Sequence, residues 1–71
     1  MKKGDKILIK DNLEYHMKRL GFSNYDINQI VKKYTGTIQT VYDIWKDENE
    51  TFITIDMCVE IPIESCEVIN N

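Results

Sequence analysis

The 71-residue chain has no alanine, one proline, three glycines, two cysteines, one histidine and one tryptophan. A single proline and three glycines leave no room for a low-complexity segment or a linker, and no repeat is present. No apolar run approaches the ~20 residues that a membrane span requires. The basic start Met1-Lys2-Lys3-Gly4-Asp5 is followed by an alternating strand pattern, not by the apolar segment of a signal peptide. These absences point to a cytoplasmic chain without a membrane anchor. In that compartment Cys58 and Cys66 are expected to be reduced and buried, with Cys66 in the core among Ile63 and Val68.

Specialised chemistry is equally sparse. His16, Cys58 and Cys66 are too few and too scattered for a zinc motif, which needs close pairs of ligands. A nucleophilic centre would need a base and an orienting acid beside a thiol or hydroxyl, and no such grouping is legible. The carboxylates Asp43, Asp47, Glu48 and Glu50 cluster in one stretch without the spacing of a calcium loop. They read as a solvated hairpin turn; the alternative is a cation site or a phosphate mimic facing a basic partner. No cofactor, no metal and no enzymatic activity are expected.

What is present is one domain, residues 1–71, with 42% hydrophobic and 30% charged residues. Gly4–Lys10 alternates as a strand with Ile7 and Ile9 on one face. Asp11 with Glu14 has the spacing of a capping box, and Leu13, Met17 and Leu20 form the apolar stripe of a first helix that Gly21 ends. Ser23 caps a second helix, with Phe22 and Ile27 spaced as a hydrophobic staple and Ile27, Ile30, Val31 and Tyr34 as its buried face. Gly36 closes it. From Thr37 the period changes to two. Ile38, Thr40, Tyr42 and Ile44 share one face of a long strand, and Val41 and Trp45 share the other. Lys46–Glu50 turns the chain into a hairpin, and strands around Phe52–Ile55 and Val59–Ile61 follow. Glu64-Ser65-Cys66 reads as a single 3₁₀ turn before a last strand, Glu67–Ile69. Trp45 is expected to plug the core, with Tyr42 and Phe52 near it.

Three segments carry a resemblance. Gly4-Asp5-Lys6-Ile7-Leu8-Ile9 looks like the entry strand of SH3-like small barrels. Thr35-Gly36-Thr37-Ile38-Gln39-Thr40-Val41 looks like the glycine-containing second strand of KOW-type barrels, and Ile61-Pro62-Ile63-Glu64-Ser65-Cys66-Glu67-Val68 resembles their closing turn and last strand. The resemblance implies a mainly β fold: an SH3-like barrel of about five strands, with a two-helix insertion at about residues 11–35 between strands 1 and 2. Small SH3-like proteins of phages and prophages are similar, and the lack of alanine suits an AT-rich genome of that kind. A non-enzymatic binding module with a protein partner is the expected function. The alternative is a KOW-like nucleic-acid binder that uses the basic insertion.

Charge is divided along the chain. Residues 1–36 hold eight lysines and arginines against four carboxylates, net +4, and residues 37–71 hold one lysine against eight carboxylates, net −7. Either the two halves lie against each other and partly cancel, or they present two separate faces. Tyr15, Lys18, Arg19, Tyr25, Lys32 and Lys33 on the inserted helices combine cations with aromatics and are the expected partner-binding residues.

Overall fold

The computed structural model describes residues 1–69. Its elements run β1 (Lys6–Ile9), α1 (Leu13–Arg19), α2 (Asn24–Tyr34), β2 (Ile38–Thr40), β3 (Asp43–Asp47), β4 (Glu50–Ile55), β5 (Val59–Pro62), one 3₁₀ turn (Ile63–Ser65) and β6 (Cys66–Val68). The strands form two antiparallel three-stranded sheets, β2-β1-β6 and β3-β4-β5. Both helices lie between the first two strands, and the 3₁₀ turn precedes the last, as the sequence predicts. The fold is mixed α/β and not the expected closed barrel of about five strands. No helix among the described residues is long and apolar enough to cross a membrane.

The extra strand comes from a break in the long strand expected over Thr37–Trp45. The Val41 N–H donates to the Asp5 carbonyl at 2.9 Å, so the chain up to Val41 pairs with the segment entering β1. One residue later the Tyr42 N–H donates to the Thr54 carbonyl at 2.8 Å, and Thr54 is also the register partner of Asp43. Two residues facing one is the count of a β-bulge, which bends a strand and raises its twist. The chain therefore changes sheets between Val41 and Tyr42. Ile38 and Tyr42 stay 61% and 57% exposed, whereas Val41 is buried.

The helix ends follow local rules, with one exception. At the end of α1 the Gly21 N–H donates to the Lys18 carbonyl and the Phe22 N–H to the Met17 carbonyl, both at 3.1 Å, with Gly21 at φ 85°. That is a Schellman motif. Ser23 caps α2: its Oγ accepts from the Asp26 N–H at 3.1 Å. After Tyr34 the chain makes a type II turn, with Thr35 at φ −57°, ψ 129° and Gly36 at φ 80°. The exception is Asp11. The N-cap of α1 is Asn12, at φ −82° and ψ 7°, and no side chain caps the helix. The Leu13 N–H donates to the Lys10 carbonyl, so a near-helical turn leads into α1 and leaves no extended residue to act as a cap.

The core joins both sheets to both helices through Ile7, Ile9, Leu13, Met17, Ile27, Tyr34, Val41, Ile53, Ile55 and Ile61. All four residues Phe52–Ile55 are buried, so β4 is covered on both faces. Ion pairs tie the basic first half to the acidic second: Lys3–Asp43 at 3.4 Å, Arg19–Glu50 at 3.2 Å, Arg19–Glu64 at 3.9 Å and Lys33–Asp56 at 3.9 Å. All are solvated pairs of small individual weight. They show that the charge halves lie against one another.

Candidate functional site

A two-residue turn at Glu48-Asn49 fixes the β3–β4 register and sets Trp45 opposite Phe52. Side chains opposite each other in a hairpin share a face. Here the rings stack at 4.8 Å with 20° between their planes. Phe22, held by the Schellman turn, brings a third ring to 6.4 Å from Phe52. Trp45 is not a core plug. It remains 38% exposed, while isoleucines fill the interior.

These rings border an open groove between α2 and β5. Its first part, of about 440 Å³, has Phe22, Ile30, Trp45, Phe52 and Val59 as its apolar lining. Asp26 on α2, Glu60 on β5 and Cys58 also line it. The groove continues past Ile30 and Val59 into a second hollow of about 360 Å³, bordered by Lys32, Lys33 and Tyr34. One end is thus acidic and the other basic. Neither Asp26 nor Glu60 takes part in an ion pair among the described residues.

The wall beside Val59 is shaped by an unusual loop. Asp56 and Met57, between β4 and β5, both have left-handed backbones, at φ 48° and 70°. The Cys58 N–H donates to the Asp56 carbonyl at 2.8 Å, closing a γ-turn around Met57. The Tyr34 hydroxyl, buried at the end of α2, donates to Asp56 Oδ2 at 2.7 Å and ties the loop to the helix. That bond to Asp56, and then burial, raise the Tyr34 phenol above its ordinary range.

The six residues expected to bind a partner do not share one set of neighbours. Lys18 pairs with Glu14 at 3.1 Å along α1. Arg19 reaches Glu50 and Glu64, and its guanidinium is raised further, chiefly by the Glu50 hydrogen bond. Lys33 pairs with Asp56 and lies 5.3 Å from the centre of the Tyr34 ring. Tyr15, 66% exposed, meets the His16 ring edge-on at 5.1 Å, and Tyr25 is 73% exposed on α2. Lys32 and Lys33 alone of the six border the groove. In the acidic hairpin, Asp43 is held below the usual carboxylate range by the Ile44 N–H and then by Lys3.

Both cysteines are free thiols. Cys58 is exposed, not buried as expected: it follows the left-handed residues Asp56 and Met57 and lines the open groove. Cys66 is half-buried against the core, and burial pushes its thiol up to about 12. His16 is half-buried, with its Nδ1 enclosed and without a hydrogen-bond partner. Among the described residues no group of three or more histidine, cysteine or acidic side chains is placed to hold a metal ion.

The groove was only half legible in the sequence. Trp45 and Phe52 can be recognised as hairpin neighbours, but nothing local brings Phe22, Ile30 and Val59 to them. No protein-family model, no curated protein and no solved structure matches the chain.

Proposed function

We propose that the chain is a non-enzymatic protein-binding module and that its partner docks in the groove between α2 and β5. The observation that carries this reading is Trp45, stacked on Phe52 and left 38% exposed at an open apolar groove. Buried, well-packed tryptophans dominate interface energetics, and a rigid stacked indole loses little side-chain freedom on binding. The docking surface thereby moves from the outer faces of the helices to the groove beside them, with Lys32 and Lys33 at its basic end.

An SH3-like arrangement is the fold reading proposed with it. Three features support it: β1 pairs with the last strand, a 3₁₀ turn precedes that strand, and one bent strand serves both sheets. A protein partner is favoured over nucleic acid because Arg19 and Lys33 are already engaged by carboxylates.

The test is capture from extract of the source cells on the immobilised protein, with and without nuclease. A nuclease-resistant protein partner should be lost with Trp45→Ala and kept with Lys18→Glu, which lies outside the groove. Loss with Lys18→Glu and not with Trp45→Ala would return the docking surface to the helix faces, and capture only of nucleic acid with steep salt dependence would replace this reading with the nucleic-acid one.

A further inference from the structure

We infer that the segment filling the groove carries an arginine, whose guanidinium sits between Asp26 and Glu60 beside the Trp45–Phe52 stack, with an aliphatic neighbour lying on Ile30 and Val59. The inference rests on the docking role just proposed for the groove and adds the chemistry of its occupant. Two carboxylates from different elements, α2 and β5, line the same hollow as two stacked aromatic rings. Neither is neutralised by an ion pair among the described residues, whereas Asp43, Glu50, Asp56 and Glu64 all have cationic partners. An approaching cation therefore finds carboxylates without an ion-pair partner on two elements and the negative faces of aromatic rings beside them.

Arginine fits this better than lysine. Its planar guanidinium stacks on an indole, is less strongly hydrated than an ammonium, and can hydrogen-bond two carboxylates at once. Its three-carbon stem can lie on apolar surface while the head is paired. The basic end of the groove, at Lys32 and Lys33, disfavours a second cation there. One arginine at the acidic end is therefore the pattern, and a uniformly basic segment is not.

Trp45 is the only tryptophan, so its fluorescence reports on the groove without a label. The probes are two acetylated, amidated tripeptides, Leu-Arg-Leu and Leu-Cit-Leu, in which citrulline keeps the shape of arginine without its charge. The arginine peptide should change the Trp45 emission saturably. The citrulline peptide should bind at least about tenfold more weakly, equivalent to about 1.4 kcal/mol. Glu60→Gln, and separately Asp26→Asn, should each remove most of that preference, with the fold checked by melting. Asp26 also lies in the first turn of α2, where a carboxylate favours the helix, so Glu60→Gln is the cleaner variant. Equal binding of the two peptides, or no response to the arginine peptide, overturns the arginine inference. Failure of the docking reading is read separately, as partner capture that survives Trp45→Ala.

Discussion

Tyr34→Phe removes one hydroxyl and leaves the ring that fills the core. The lost interaction is the 2.7 Å hydrogen bond to Asp56 Oδ2. A bond to a charged acceptor is worth about 1.5–3 kcal/mol. The Asp56 side chain is 55% exposed, so water replaces the phenol on the carboxylate and the net loss falls to about 1 kcal/mol. In a domain of this size that lowers Tm by about 4–8 °C. The same bond predicts a pH signature. The folded phenol is raised above its ordinary value, so the neutral form is favoured in the fold. As pH passes about 10, the unfolded chain loses this proton first, and the stabilisation present below that pH disappears as pH climbs through the folded value. Melts of both proteins from pH 7 to 11 should show the wild-type advantage at neutral pH and its decline above pH 10. Amide exchange at Cys58, whose N–H closes the Asp56 turn, should be faster in the variant. Equal Tm values at pH 7, or a wild-type advantage that grows above pH 10, would refute the role given to this bond.

Three further outcomes follow from named positions. Ser23→Ala removes the acceptor for the Asp26 N–H and should cost about 1 kcal/mol, read as a Tm lowered by about 4–8 °C. Glu48 holds φ 55° in the β3–β4 turn, a conformation that glycine adopts more easily, so Glu48→Gly should gain about 0.5 kcal/mol and raise Tm by about 2–4 °C. Iodoacetamide at pH 8 should alkylate exposed Cys58 and spare Cys66, whose thiol at about 12 is only about one part in ten thousand thiolate at that pH; mass spectrometry of the native protein reads the difference.

Local rules written into consecutive residues were legible in the sequence. Gly21, the Ser23 cap and the placement of two helices after the first strand all depend on a few neighbours, and all are found. Features set by tertiary pairing were not. The sheet change at Val41-Tyr42 has no glycine or proline to mark it. Met57 holds a left-handed backbone without being a turn former, which hid the exposure of Cys58. Asp11 has the composition of a cap, but the cap position falls on Asn12, whose backbone is near-helical and not extended. Among the expected binding residues, the identity of Arg19 and Lys33 as surface cations was legible; their partners Glu50, Glu64 and Asp56, 23 or more residues away, were not.

The most direct measurement places a photo-crosslinking amino acid at Cys58, an exposed residue that lines the groove and leaves Trp45 in place, and in a second protein at the exposed Tyr25 of α2, and irradiates each in extract of the source cells. A partner seated in the groove predicts a discrete crosslinked product from position 58 and none from position 25. A product from position 25 alone, or none from position 58, would contradict docking in the groove.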